Sequence, residues 1–507
     1  MAKGIVYLVG AGPGDPQLIT VKGLECVREA DVIIYDRLVS EKLLEASRSD
    51  AERIYAGKES ARHTMSQKRI NSLLIEKAKA GKTVVRLKGG DPLVLGRGGE
   101  EAEALAAEGI EFEFVPGVTA ALAVPAYAGI PATHRGLSSS VAIITGHEDP
   151  NKPISSLAWD KLSTGVDTLI FLMGIENLPA IVEQLMANGR PPTTPIALIH
   201  SGTGPAQRTV AGTLADIVEQ ASAHYVPPPA VIIVGEVVKM REKLRWFDRK
   251  PLFGKRVLVT RSRSQASKLS RLLSEYGAES VELPVIEIQP VRPSDETLKE
   301  AREFHRYDWV IFTSVNGVEA FLPWSGEAGL ELRQARPPKI CAIGPATAEA
   351  CRNHGLHVDY VPEEYISEKI LEGLAHREIS GKRILLPRAQ NARPLLAEGL
   401  RRAGAQVREL AVYRTVPPSA PDSRGLQMLK DGLIDITTFT SSSTVKNLVL
   451  LLGEDWPLAN QTLVACIGPV TRDTAVRYGL KVAVMAKDYT IPGLVTSIAQ
   501  YYNKAGL

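Results

Sequence analysis

The sequence predicts an α/β protein made of two successive units: an N-terminal pair of α/β subdomains and a C-terminal two-lobed α/β unit built from an internal duplication. Three observations predict it. Short β-branched runs alternate with amphipathic helical patterns along the whole chain, the alternation that gives layered α/β folds with largely parallel sheets. The second half repeats its own sequence, which signals two similar lobes. Between the halves, REKLRWFDRKPLFGK mixes charges, aromatics and a proline before a fresh strand RVLVTR, as a domain boundary does.

Composition bounds the function classes. At 507 residues the chain exceeds what one core organises. Hydrophobic residues make up 44% and charged residues 23%, an ordinary globular balance. Sixty basic against 57 acidic residues leave a formal charge of +3, so no global field recruits nucleic acid or an anionic membrane, and an anionic ligand must meet local arginines. The opening MAKGIVYLVGAGPGD places a glycine-rich turn where a signal peptide needs apolar residues, and no 18-residue apolar run follows. A cytoplasmic protein is expected. Cys26, Cys341, Cys351 and Cys466 lack CxxC or Cys/His spacing, and His63, His134, His147 and His200 stand isolated. Reduced thiols and no metal are expected.

In chain order, IVYLVG reads as a strand, residues 24–30 as a helix, and DVIIYD as a strand ending at Asp36. TVVRLKG and FEFVPG are further strands, and the character of the sequence changes near residues 112–118. The expected subdomains are 1–114 and 115–247, followed by a linker at 248–253. After the first strand, Gly10, Ala11, Gly12, Pro13, Gly14 and Asp15 form a turn that invites a dinucleotide-binding reading. The spacing resists it: Asp15 stands where the third glycine belongs, and Pro13 removes an amide from the turn. A nicotinamide-dependent oxidoreductase is the alternative this turn alone supports.

More specific signals accumulate in order: YDRLV around Asp36, GK at Lys58, VVRLKGGDPLVLGRGGEE from Val84, VPGVTAA from Val115, AGIPATHR from Ala128, LMG at Met173 and PPPAVIIVGEVV from Pro227. With these motifs, residues 1–247 resemble the tetrapyrrole methylase family, specifically its uroporphyrinogen-III C-methyltransferases. The resemblance implies S-adenosylmethionine bound between two α/β subdomains, a homodimer, and methylation of C2 and C7 of uroporphyrinogen III to give precorrin-2. It puts cofactor contacts on Pro13, Gly89, Gly90, Asp91, Val94, Thr119, Ala120, Met173 and Gly202. It assigns a base to Asp36 and an acid to Lys58. Asp91 has a second reading as a turn cap, Asp36 as a strand-end cap, and Lys58 as a solvated lysine. The family's pattern after GDP carries aromatics, whereas this chain has Leu93 and Leu95, a difference in pocket shape. The substrate bears eight carboxylates, so Arg37, Arg86, Arg97 and Arg135, with His134 as a neutral donor, are candidates to line its face of the cleft. Each also has a local acid as a possible partner.

In the second half, GKRVLVTR at Gly254 returns as GKRILLPR at Gly381, and VIFTS ending at Ser314 returns as TTFTS ending at Ser441, both 127 residues on. AIGPATAEACRNHGL, with Gly344, matches CIGPVTRDTAVRYGL, with Gly468, 124 residues on. ELPVIEIQPV (282–291) and ELAVYRTVPP (409–418) sit at equivalent points with prolines and are expected as extended connectors crossing between lobes. Lobe A is then 254–287 plus 415–507, lobe B 288–414, with hinge motion available. This half resembles uroporphyrinogen-III synthase, which implies cofactor-free closure of hydroxymethylbilane with inversion of the terminal pyrrole. Tyr413, in VYRT, matches the tyrosine that assists loss of the hydroxyl; packing between lobes is its other role. Ser314, Asn316, Ser441, Ser442 and Thr471 lie at loop or helix starts suited to carboxylates, or to capping. Arg261 and Arg388 occupy equivalent places in the repeats, and Arg263 and Arg393 follow them, offering paired charge. A second function class stays open here, a methyltransferase fused to a non-catalytic tetrapyrrole-sensing module. Sirohaem and cobalamin are equally open as destinations of the product.

Overall fold

The computed structural model describes residues 4–57, 65–147, 156–261, 263–325, 337–375, 377–418 and 423–505. The chain forms two compact units, Met1–Gly254 and Lys255–Leu507.

In the first unit, β1 (Ile5–Gly10), β2 (Val32–Tyr35), β3 (Glu52–Tyr55), β4 (Thr83–Lys88) and β5 (Glu111–Val115) form a parallel sheet of order β3-β2-β4-β1-β5. Alternation along each strand makes both faces apolar. Val6, Leu8, Ile34 and Val84 meet Leu73, Leu74 and Leu105 on one face; Val9, Ile33, Val85 and Leu87 meet Cys26, Val27 and Leu43 on the other. Since all five strands run one way, the turns after β1, β2, β4 and β5 open at a single edge. The strand order reverses between β1 and β4, and such a switch point leaves a ligand-sized crevice at the carboxyl ends.

The second sheet holds β6 (Val141–Thr145), β7 (Thr168–Leu172), β8 (Pro195–His200), β9 (Arg208–Thr213) and β10 (Ala230–Val234) in the order β6-β7-β10-β8-β9. It corrects the expectation of largely parallel sheets. β6 and β7 are parallel, but β10 is antiparallel to both β7 and β8, and β9 is antiparallel to β8. Residues 201–207 join β8 to β9 without a helix, so the pair closes as a hairpin, and a hydrophobic run carries no record of strand direction. β7 and β8 both oppose β10, so they still end at a common edge, after Leu172 and His200.

Residues 248–253, expected as a linker, pack into the first unit. Leu252 and Phe247 are buried, and Asp248 is ion-paired with Arg241, whose guanidinium also donates to the Ala128 carbonyl. The aromatics just before this stretch close on Tyr127, with ring centroids 5.1 Å (Trp246) and 4.9 Å (Phe247) away. The break between units falls after Gly254.

The second unit contains β11 (Arg256–Val259), β12 (Glu279–Glu282), β13 (Glu287–Pro290), β14 (Trp309–Phe312), β15 (Lys339–Ala342), β16 (Arg383–Ala389), β17 (Gln406–Val416), β18 (Ile436–Phe439), β19 (Leu463–Cys466) and β20 (Val482–Met485). Two sheets result, β12-β11-β18-β19-β20 and β13-β17-β16-β14-β15. The repeat is visible in them: β12-β11-β18-β19 and β17-β16-β14-β15 have the same order with equivalent strands exchanged. Each sheet takes its first two strands from one repeat and its next two from the other, so neither repeat can complete a sheet alone. The two crossing segments are not free connectors. Residues 287–290 and 413–416 pair antiparallel, Glu287 with Val416 through Pro290 with Tyr413, which extends the second sheet slightly past the expected 288–414. Pro290 is the last residue of β13, an end position a sheet tolerates.

All four cysteines are free and buried. Burial pushes the Cys341, Cys351 and Cys466 thiols up to about 12, which makes them unreactive. Among the described residues no cluster of three or more His, Cys, Asp or Glu side chains suits a metal, and no helix is long and apolar enough to cross a membrane.

Candidate active site

The carboxyl edge of the first sheet brings together most of the residues expected to hold a cofactor. Gly12 and Gly90 bridge the turns after β1 and β4, with Gly90 N donating to Gly12 O at 2.7 Å and Gly12 N to Gly90 O at 3.2 Å. A Cβ on Gly10 would lie 2.5 Å from Gly117 Cα, and one on Gly117 only 2.3 Å from Gly90 O. Three backbones meet here at a distance no side chain allows. Gly90 also abuts Ala120, whose amide is 3.6 Å from where a Cβ would stand. Thr119 caps the helix Ala120–Tyr127 through Ala121 N at 3.4 Å. The Asp91 carboxylate is a turn cap: Oδ1 accepts from Leu93 and Val94 N at 2.8 and 3.2 Å, and Oδ2 from Gly117 N at 2.9 Å. It therefore locks β4's turn to β5's turn.

Backbone strain marks the same region. Among the described residues, seven non-glycine positions have positive φ, and five of them are Leu95, Arg97, Met173, Ser201 and Thr203. Such conformations cost energy and concentrate at ligand sites. Met173 follows β7 and Gly202 lies between Ser201 and Thr203 after β8, at the edge those strands share. Gly202 packs so tightly on Val124 that a Cβ would lie 2.4 Å from its Cγ1. Pro13 is tied to this loop by its carbonyl, which accepts from Thr203 Oγ1 at 3.2 Å.

Asp36 ends β2 beside this crevice. Its Oδ1 accepts from Leu38 N at 3.0 Å, its Oδ2 from Gly89 N at 3.3 Å, and Arg86 Nη2 stands 4.0 Å from Oδ2. The side chain is 26% exposed, so the carboxylate is oriented from beneath and open above. Lys58 lies outside the described residues. Arg86 itself is turned inside, which corrects its candidacy as a ligand contact. At 3% exposure it donates from Nε to Glu101 at 3.1 Å and from Nη1 to the Ile34 and Leu87 carbonyls at 3.2 Å. Lys88 and Gln67 donate to the same Glu101 oxygen, each at 3.1 Å. Burial, then the Arg86 charge, lowers the Lys88 pKa against the pull of Glu101. Of the other cation candidates, Arg97 is exposed and bidentate to Glu100 at 2.7 and 2.8 Å, Arg37 and Arg135 are exposed, and His134 Nδ1 contacts the Arg135 carbonyl at 2.9 Å.

In the second unit, Tyr413 lies on β17 and is buried, with its hydroxyl 3.0 Å from Ser314 Oγ. Ser314 follows β14 and accepts from Gly317 N at 3.0 Å, and Asn316 sits in the helix Val315–Ser325 that begins there. The equivalent loop after β18 makes the same cap, from the amide three residues on, with other neighbours. Ser441 caps the helix Ser442–Leu452 through Thr444 N at 3.4 Å, while Ser442 bonds to Thr474 at 2.9 Å and to the Val470 carbonyl at 3.3 Å. Thr471 is buried in the helix Pro469–Arg477. Arg388 is buried too, donating to the Arg393 carbonyl, with Nη1 3.2 Å from Glu409 outside hydrogen-bond geometry; burial lowers its pKa and that of Arg261. Sequence reasoning does not single out Glu101, Thr203, Tyr127 or Thr474. Only Thr203, two residues before a proline in SGTGP, carried a turn signal that pointed to it.

Comparison with known proteins follows the same division. A model of the tetrapyrrole (corrin/porphyrin) methylases matches residues 5–218, and a model of uroporphyrinogen-III synthase HemD matches residues 267–496. The chain is 37% identical over 500 residues to a porphyrin biosynthesis protein HemD of Ruminiclostridium josui, covering 99% of this chain and 98% of that protein. It is 44% identical over 349 residues to a uroporphyrinogen-III C-methyltransferase of Bacillus subtilis, covering 69% and 71%. A solved uroporphyrin-III C-methyl transferase from Thermus thermophilus, complexed with S-adenosyl homocysteine, is 40% identical across 46% of this chain and 99% of its own, with a TM-score of 0.41. The chain thus belongs to the tetrapyrrole methylases through its N-terminal half and to the uroporphyrinogen-III synthases through its C-terminal half, a fusion of the two families.

Proposed function

We propose that the second unit closes hydroxymethylbilane to uroporphyrinogen III and that the first methylates this product at C2 and C7 to give precorrin-2. The observation that carries the methylase reading is the convergence of the turns at Gly10, Gly90 and Gly117 at the switch point, where a Cβ on Gly10 or Gly117 would strike the neighbouring backbone, with Asp36 beside them. That cradle fits S-adenosylmethionine. When bound, S-adenosylmethionine supplies a methyl group on a cationic sulfur. Backbone of Pro13, Gly89, Gly90, Thr119, Ala120 and Gly202, with Val94 and Met173, would hold the ligand, while Asp91 fixes the loops around it. Orienting two reactants in one crevice replaces an encounter in solution, an effect of up to about 7–11 kcal/mol. The Asp36 carboxylate, held by two amides and the Arg86 charge, is the base that removes the macrocycle proton after methylation.

In the synthase reaction Tyr413 is the proton donor to the departing hydroxyl. Ser314 already accepts from Gly317 N, so its own hydrogen is free to point at the Tyr413 oxygen, leaving the phenol proton for the substrate. The reaction as proposed uses no cofactor. A homodimer through the methylase half belongs to the same proposal, and Leu122, Leu137 and Ile143 are apolar residues that the first unit leaves exposed.

The cofactor half of this reading is tested by heat. S-adenosylhomocysteine at one hundred times its Kd should stabilise the first unit by about 2.7 kcal/mol, seen as a rise in Tm that NAD does not produce. A rise with NAD and none with S-adenosylhomocysteine would replace the methylase reading with the oxidoreductase one.

A further inference from the structure

We infer that Thr203 is a positioning residue for the methyl donor, a hydroxyl clasp by which the second subdomain of the methylase unit sets the shape of the glycine turn in the first. The inference rests on the methylase reading above. Thr203 follows β8, 190 residues from Pro13 along the chain, yet its one hydroxyl makes two bonds to the turn. Asp15 N donates to Thr203 Oγ1 at 3.1 Å, and Thr203 Oγ1 donates to Pro13 O at 3.2 Å. An acceptor and a donor of the turn are thus satisfied by a single side-chain atom, across Gly14, where a Cβ would lie 2.9 Å from that same oxygen.

The clasp is held under strain. Thr203 has φ +69°, a conformation a β-branched residue adopts only when its surroundings impose it. Its amide donates to Gln207 Oε1 at 3.0 Å, and both residues are 3% exposed. A second anchor holds the other side of the turn: Tyr127 OH donates to Asp15 Oδ2 at 2.8 Å, and its ring is wedged by Trp246 and Phe247. Burial, then the Asp15 bond, raises the phenol pKa and keeps that proton in place. The turn that presents Pro13 is therefore fastened to the second subdomain at both Thr203 and Tyr127. Thr203 is also the neighbour of Gly202, so one residue couples two walls of the crevice. Precision at such walls comes from supporting contacts of this kind.

The test is the affinity of the full chain for S-adenosylhomocysteine, measured by calorimetry, beside KM and kcat for S-adenosylmethionine. Thr203→Val keeps the shape and removes both bonds, so Kd and KM should rise about tenfold with kcat at saturation changed less than about threefold. Thr203→Ser restores the hydroxyl and should bind within about threefold of the parent. If the valine variant does not fold, Thr203→Gly carries the test: it takes the left-handed backbone without strain, lacks the hydroxyl and should show the same loss. Parent-like Kd in the valine or glycine variant overturns the clasp, as does an equal loss in the serine variant. Absence of binding by the parent protein would instead remove the methylase reading itself.

Discussion

Asp36→Asn should lower methyl transfer to uroporphyrinogen III by about two to four orders of magnitude, the usual worth of a positioned general base, while leaving S-adenosylhomocysteine affinity within about threefold. The carboxylate has one well-defined setting. Leu38 N and Gly89 N each hold one oxygen, Arg86 stands 4.0 Å away, and the side chain is 26% exposed. Asparagine matches its shape but has one acceptor where two donors converge. Its NH2 must face either Leu38 N–H or both Gly89 N–H and the Arg86 guanidinium, and it takes up no proton near neutral pH. The measurement is an initial rate at saturating donor, with ligand affinity reporting that the crevice is intact. A rate within threefold of the parent would assign Asp36 to capping β2 alone.

The second large effect is on stability. Glu101→Leu should cost the first unit about 3–5 kcal/mol, because breaking a buried ionic cluster strands the remaining charge. For a unit of this size that is a fall in Tm of about 6–20 °C. Glu101 is completely buried, and one of its oxygens receives Arg86, Lys88 and Gln67. Without it, two buried cations face each other. The pH dependence has a definite sign. Burial depresses the folded pKa of Lys88, so over the range between that value and the ordinary lysine value the unfolded chain binds more protons and stability rises with pH. Loss of Glu101 depresses the folded value further. The deficit of Glu101→Leu relative to the parent should therefore narrow as pH is raised through that range. A deficit under 1 kcal/mol, or one that widens with alkali, would mean that the cluster contributes nothing as a charge network.

Much of this was legible from residues alone, and the exceptions have physical causes. The repeat offsets fixed the equivalence of GKRVLVTR with GKRILLPR, but not that each sheet would combine strands from both repeats. VYRT was visible as a landmark, while its place on a paired strand depended on β13 arriving antiparallel. The glycine motifs announced close backbone approach because only glycine permits it, and the contacts at Gly10 and Gly117 are of that kind. Arg86 kept two readings, ligand contact or an acid partner, because an arginine in a strand looks alike whether it faces solvent or a buried glutamate fifteen residues on. Asp91 and Ser441 spend their polar atoms on backbone amides, a role that a sequence cannot separate from ligand binding since the same atoms serve both. Thr203 offered only a turn signal because its importance lies in a positive φ and in partners nearly two hundred residues away.

The central claim is that two consecutive reactions reside on one chain. It is tested most directly by supplying the purified full chain with hydroxymethylbilane and S-adenosylmethionine and analysing the oxidised products for ring isomer and methylation. The account predicts a type III macrocycle carrying two added methyl groups. A type I macrocycle, methylated or not, would contradict it by making the C-terminal half a binding module, and an unmethylated type III product would remove the methyltransferase.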